Sequence, residues 1–280
     1  MSSNPVHCLD RIVAALRTRR GIDFGGYRRS TLERRLGARM TALGVRDPLD
    51  YLARLESDPE EPGALVAAFS INCSSFFRDP VVFEILAQSV LPEILERKAR
   101  TGSRELRVWS AGCAAGEEAY TLAILVHRAI AVRREEWTGL IIATDIDDGA
   151  LVEARRGRYA LDCLDAMRIG FLQDSFVESD GQYQVRPVIH EMVHFATDDL
   201  TAADLRAPAD SVFGAFDLVA CRNVLIYFDR ALQDRVLDKL HGALGIGACL
   251  VLGSAETIPR RLEQKLEIID GRNRIYRRVR

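Results

Sequence analysis

The residues best suited to chemistry lie in the string S-A-G-C-A-A-G-E-E, Ser110 to Glu118. Gly112 and Gly116 let the main chain come close to a ligand, and the helix expected after them presents unpaired N–H groups. A dinucleotide-binding turn needs G-x-G-x-x-G, which is missing, and a P-loop needs Gly-Lys-Ser/Thr after its second glycine. Glu117 and Glu118 stand there instead. Two carboxylates repel a phosphate; they suit the positive end of a helix, or a ligand that carries a cation. Asp145 closes the apolar run Leu140 to Thr144, the place where a carboxylate accepts both hydroxyls of a ribose. Singly, the glutamates read equally well as helix-capping acids and Asp145 as a cap. Together they describe a nucleoside ligand with positive charge and no phosphate. S-adenosylmethionine fits, through its ribose, ammonium and sulfonium; NAD fits less well.

The elements that must hold these residues change in character along the chain. Residues 10 to 95 read as helices, with Ile12, Val13, Leu16 and then Leu32, Leu36, Met40, Leu43 at three- and four-residue spacing. Gly44 suits a C-cap, Asp47-Pro48 opens a further helix, and Asp58 to Gly63 breaks it. A long helix is expected over Val81 to Arg97, opened by Asp79 as N-cap and Pro80 in its first turn. After a polar linker at Arg100 to Arg104, strands and helices alternate. Strands are expected at Leu106 to Ser110, Leu140 to Thr144, Val193 to Phe195, Phe216 to Cys221 and Cys249 to Gly253. Helices are expected at Glu117 to Arg133, Asp147 to Arg155 and Asp229 to Leu244, with a closing hairpin from Leu266 to Val279. Apolar strands alternating with helices mean a parallel sheet covered on both faces. Residues 157–190, with an Asp180-Gly181 turn, read as a small antiparallel insertion.

Four strings occur in order: I-N-C-S-S-F-F-R-D-P (Ile71 to Pro80), V-W-S-A-G-C-A-A-G-E-E-A-Y (Val108 to Tyr120), A-T-D-I-D (Ala143 to Asp147) and C-R-N-V-L-I-Y-F-D (Cys221 to Asp229). They resemble the chemotaxis receptor glutamate methyltransferases, the CheR family, over roughly residues 10 to 275. The resemblance implies an all-α N-terminal domain over residues 1–95. It implies a class I S-adenosylmethionine-dependent methyltransferase domain, Rossmann-like, over 96–280, with a β-subdomain inserted at 157–190. It also implies roles. Asn72, Ser74 and Arg78 would reach S-adenosylmethionine from the interdomain segment, with Gly112 under it; Ser74 stands where the family often has Thr. Glu118 would pair with the methionine end and Asp145 would hold the ribose. Asp199, often Asn in the family, and Leu200 would flank the adenine, and Asn223 and Val224 would line the methyl-donor pocket. Arg78 and Tyr227 would stand nearest the transferred methyl and act as the catalytic pair. The lesser alternative for Arg78 is a salt bridge to Asp79 or a neighbour, and for Tyr227 core packing with a hydrogen-bonded hydroxyl.

The charge distribution points to the substrate side. Between Arg11 and Arg46 lie 10 Arg against only Asp23 and Glu33, while the formal net charge of the whole chain is −2. A basic front end on an acidic body suits an anionic partner, or a solvated helix face. The family resemblance implies docking of this helix, through Arg34, Arg35 and Arg39, on the acidic methylation helices of chemoreceptors. Gly181 stands alone in Leu172 to Tyr183, where some family members have a glycine-rich loop that grips a receptor's C-terminal pentapeptide, so no such tether is expected. A monomer is expected.

The remaining composition excludes more than it suggests. The six cysteines are scattered without a C-x-x-C pair, so reduced buried thiols are expected, with no disulfide framework and no metal. His190 and His194 are four apart in an R-P-V-I-H-E-M-V-H-F string that reads as extended, a poor metal site. The longest apolar runs are far too short to span a bilayer and no signal peptide is read, so a cytoplasmic location without membrane insertion is expected. Two other functions remain: a non-catalytic scaffold that keeps the S-adenosylmethionine pocket, and methylation of a nucleic acid by the basic face. The second lacks an N-P-P-Y-like motif and aromatic residues among the arginines.

Overall fold

Local sequence rules account for most of the first helices in the computed structural model, which describes residues 5–70, 74–202 and 215–280. The predicted Asn72 lies outside them. Helices α1 (Pro5–Arg20), α2 (Arg29–Ala42), α3 (Pro48–Ser57) and α4 (Glu61–Phe69) form the N-terminal unit. Asp47 caps α3 by accepting the Leu49 N–H at 2.9 Å, and Gly44 beyond α2 takes φ +68°, the left-handed conformation open to glycine. Ile12, Leu16, Phe24, Leu36, Tyr51, Leu55, Leu65 and Phe69 close this unit's own core.

The long helix departs from expectation. It runs as α5 (Pro80–Ile85), a π-helical turn over Leu86–Val90, and α6 (Leu91–Arg100). Pro92 has no N–H and its ring crowds the carbonyl four residues back. The ladder widens accordingly, and the Leu91 N–H donates to Leu86 O instead. Asp79 is not a side-chain cap: it sits at φ +61°, and its carboxylate is committed to Arg222. Phe76, Val82, Phe83, Leu86, Leu91 and Leu95 bury against β-sheet residues, not against α1–α4. In packing terms the linker helix that the expected 1–95 segment includes shares the sheet's core.

The sheet follows. β1 (Glu105–Ala111) leads through Gly112–Gly116 into α7 (Glu117–Ala131), and β2 (Thr138–Asp145) leads into α8 (Asp148–Arg156), capped by Asp147. The insertion carries β3 (Arg158–Tyr159), α9 (Ile169–Ser175), β4 (Phe176–Ser179), β5 (Gln182–Val185) and α10 (Pro187–His190). Its strands form a separate antiparallel sheet in the order β3-β5-β4, with Asp180 and Gly181 both at positive φ in the two-residue turn. The insertion is thus part helical. His190 ends a helical turn, contrary to the extended reading; Pro187 opens that turn, and the ring Nε2 faces Arg155 O at 2.9 Å. β6 (Val193–Thr197), β7 (Phe216–Cys221), α11 (Arg230–Ala243), β8 (Leu244–Leu252), β9 (Leu266–Asp270) and β10 (Ile275–Arg278) complete the fold.

Seven strands lie in the order β6-β2-β1-β7-β8-β10-β9, parallel except for β10. The central strands β1, β2, β7 and β8 are mostly buried on both faces, which is why they are largely apolar, whereas the edge strand β9 is mostly unburied. Val108, Leu218, Ala220 and Val251 pack toward α5–α7, whereas Trp109, Val219, Cys221 and Leu250 pack toward α11. Cys8, Cys113, Cys221 and Cys249 are free and buried, and Cys163 is free and half-buried. Among the described residues, no helix is long and apolar enough to cross a membrane.

Candidate functional site

The strand order reverses between β1 and β7, and a cavity of about 960 Å³, counting its open mouth, lies beyond their carboxyl ends. Every predicted cofactor or catalytic residue that is described lines it: Ser74, Arg78, Gly112, Glu118, Asp145, Asp199, Leu200, Asn223, Val224 and Tyr227.

The turn after β1 explains why glycine is needed. Gly112 has φ +76°, and a Cβ there would meet Val224 Cγ2 at 2.5 Å. Its N–H and that of Cys113 donate to Thr144 O at 2.8 and 2.9 Å, tying the turn to β2. Gly116, at φ +95°, precedes α7. Glu117 and Glu118 then diverge, because neighbours on a helix point about 100° apart. Glu118 faces the cavity, accepts from Ser110 Oγ at 2.9 Å, and lies 3.5 Å from Arg222 Nη1. Burial pushes its carboxyl above the usual range, against the pull of Arg222. Glu117 turns inward and is buried, and its Oε2 has no partner among the described residues.

Asp145 ends β2 with one carboxylate oxygen taking the Ala114 N–H at 2.8 Å and the other the Asp147 N–H at 3.0 Å. Each oxygen keeps capacity for a further donor, as a ribose diol requires. Burial raises its pKa, partly offset by those two N–H groups. The cavity thus is lined by the doubly held Asp145 carboxylate, by Glu118 and by Asp198 and Asp199, with no glycine-lysine phosphate cradle. These features fit S-adenosylmethionine.

Three residues that the sequence reading did not single out build the same site. Arg222, with a side chain 3% exposed, joins Asp79 Oδ2 at 2.7 Å and Arg78 O at 3.0 Å, and lies over the Phe83 ring. Glu256, also buried, accepts the N–H groups of Gly253 at 2.6 Å, Leu225 at 2.7 Å and Asn223 at 3.2 Å. That clamp holds Asn223 at φ +60°. Tyr27 reaches the cavity from the N-terminal unit. The arginine directly after β7 was a visible signal; Glu256 and Tyr27 had none.

The predicted docking arginines do not line the cavity. Arg34 is exposed and Arg35 half-buried on α2, with Arg35 Nε lacking a partner among the described residues. Arg39 makes a two-point ion pair with buried Glu61, at 2.9 and 2.7 Å, and Tyr51 donates to the same carboxylate at 2.7 Å. Its charge is satisfied within the fold.

A sheet of this order, with a carboxylate at the end of β2 and a glycine turn after β1, is that of the class I S-adenosylmethionine-dependent methyltransferases. The family models agree: "CheR methyltransferase, all-alpha domain" matches residues 8–70, and "CheR methyltransferase, SAM binding domain" matches residues 72–275. The chain belongs to the CheR methyltransferase family. It is 36% identical over 277 residues to an uncharacterized 104.1 kDa protein of Rhodobacter capsulatus, covering 99% of this chain but 28% of that protein. It is 30% identical over 256 residues to a chemotaxis protein methyltransferase of Borreliella burgdorferi, covering 89% of this chain and 88% of that one. A chemotaxis protein methyltransferase of Klebsiella aerogenes is 34% identical over 252 residues, covering 88% and 81% respectively.

Proposed function

We propose that the chain transfers the methyl group of S-adenosylmethionine to glutamate carboxylates on the cytoplasmic methylation helices of chemoreceptors. The observation that carries this reading is the cavity at the strand-order reversal, where Asp145 and Glu118 face one space with Arg78 and Tyr227. Asp145 holds the ribose hydroxyls, Glu118 and Ser110 take the ammonium end, and Asp199 and Leu200 flank the adenine, while Gly112, Ser74, Asn223 and Val224 shape the pocket. S-adenosylmethionine supplies the electrophilic methyl.

A glutamate side chain at neutral pH is already an anionic nucleophile, so the chain needs no general base. Its work is to align a carboxylate oxygen with the methyl and to strip water from the anion. Positioning of this kind accounts for roughly 7–11 kcal/mol of barrier. Arg78, exposed at the mouth, steers the incoming carboxylate. Too tight a pair would blunt the nucleophile, and the Arg78 carbonyl tied to Arg222 holds the side chain's base in place. Tyr227 lines the same cavity.

Docking falls to the exposed face of α2 around Arg34 and Arg35. A nucleic-acid substrate is disfavoured, because Arg17, Arg20, Arg29 and Arg39 are engaged by Asp23, Asp148, Asp10 and Glu61. We infer that the insertion, whose hairpin turns in two residues, does not grip a receptor pentapeptide, and that the protein acts as a cytoplasmic monomer. Calorimetry with S-adenosylhomocysteine tests the pocket: saturable one-to-one binding is expected, abolished in Asp145→Ala. Base-labile methyl esters on receptor cytoplasmic fragments test the transfer. Binding without ester formation on any receptor fragment favours the scaffold reading.

A further inference from the structure

The loop between α1 and α2 is stitched to the loop after β7. The Arg28 N–H donates to Tyr227 O at 2.8 Å and the Asp229 N–H to Gly26 O at 2.8 Å, an antiparallel bridge that pairs Tyr27 with Phe228. Arg28 Nε adds a contact to Phe228 O at 3.3 Å. The approach is close: a Cβ on Gly26 would meet Leu232 Cδ2 at 2.8 Å. The Tyr27 ring stands edge-on to Phe228 with centroids 4.8 Å apart, and 4.7 Å from Phe24. It packs against both the N-terminal core and the core beneath α11. A ring held this firmly presents its remaining edge to the cavity wall. Among the described residues, no hydrogen-bond partner takes its hydroxyl. Burial first, and then the charges of Asp199 and Asp145, push the phenol's pKa above its usual value.

We propose that Tyr27 is an adenosine-contacting residue contributed by the N-terminal helical unit, its hydroxyl bonding to the nucleoside held between Asp145 and Asp199. This rests on the cavity being the S-adenosylmethionine site. Filling the cavity then adds a contact across the bridge, so the cofactor tightens the unit that carries α2 onto the loop that carries Tyr227. A helix that docks substrate is thereby fixed against the transfer site when the methyl donor is present.

The test is calorimetry of the full chain with S-adenosylhomocysteine and with 5′-methylthioadenosine, which keeps the adenosine and lacks the amino-acid end. Tyr27→Phe retains the ring contacts and is expected to weaken both ligands by the same ~2- to 13-fold, the worth of one hydrogen bond, with unliganded melting unchanged. Equal affinity in Tyr27→Phe and wild type overturns the proposal, as does a loss for S-adenosylhomocysteine alone. Amide exchange on the wild type removes any dependence on the variant: added S-adenosylhomocysteine is expected to slow exchange at Gly26–Arg28, and unchanged rates there overturn the coupling. Wild type that binds neither ligand takes down the cavity assignment itself; a binding wild type with an indifferent Tyr27→Phe sinks only Tyr27.

Discussion

Replacing Glu256 by alanine removes the acceptor of three backbone N–H groups, those of Gly253, Asn223 and Leu225. Glu256 is 3% exposed, so its carboxylate is not readily replaced by bulk water. Each orphaned donor costs about 1–3 kcal/mol, and water entering from the cavity side relieves part of it. About 3 kcal/mol in total is expected. In a chain of 280 residues that unfolds as one unit, this lowers the melting temperature by about 5 °C. The functional loss is more specific. Asn223 keeps φ +60° only while its N–H is held, and Val224, seated against Gly112, moves with it. Affinity for S-adenosylhomocysteine is therefore expected to fall at least ~10-fold, about 1.4 kcal/mol. Glu256→Gln is expected to be nearly as poor, because its NH₂ faces donors where the carboxylate offered a second acceptor. Paired thermal melts and titrations of both variants decide it. A Glu256→Ala protein that melts within 1 °C of wild type and binds the ligand as tightly refutes the clamp.

Further expectations concern charge. Arg222→Met leaves Glu118 and Asp79 without their shared cation, costing about 2 kcal/mol by denaturant unfolding. It also removes the group that holds down the Glu118 pKa, so ligand affinity falls off at a higher pH than in wild type as the solution is acidified. Burial raises the Glu117 pKa, so the folded state holds that proton more tightly than the unfolded chain. The stability this gives is present in acid and lost as pH rises through the folded value. The stability of Glu117→Gln relative to wild type should consequently increase from pH 4 to pH 8, and a flat difference counts against a strained buried carboxyl. On α2, Arg39→Ala is expected to destabilise by about 3 kcal/mol, since Glu61 loses its bidentate partner in a buried site. Arg34→Glu should leave melting and ligand affinity unchanged while slowing methylation of receptor fragments; equal rates remove Arg34 from the docking face.

The sequence by itself determined the alternation of apolar strands and helices, the glycine turn after β1, and the acids at the ends of local elements. These are set within a few residues. Hydrophobic period, turn geometry and strand-end chemistry are short-range properties, so Gly112, Glu118 and Asp145 were legible before any fold was known. The resemblance carried Arg78, Asn223 and Tyr227 by string alone. Tertiary structure decided what no local rule reaches. Asp79 read as a cap because capping is local, yet its carboxylate goes to Arg222, 143 residues away. Arg39 was carried as a docking residue by the resemblance, and its ion pair with Glu61 comes from the packing of α2 on α4, which local spacing does not reveal. Tyr27 and Glu256 gave no signal, because each acts on the loop after β7 from a distant segment. A carboxylate that clamps a turn, or a phenol that closes a pocket, depends on which surfaces meet; residue type and spacing do not encode that meeting until both cores are packed.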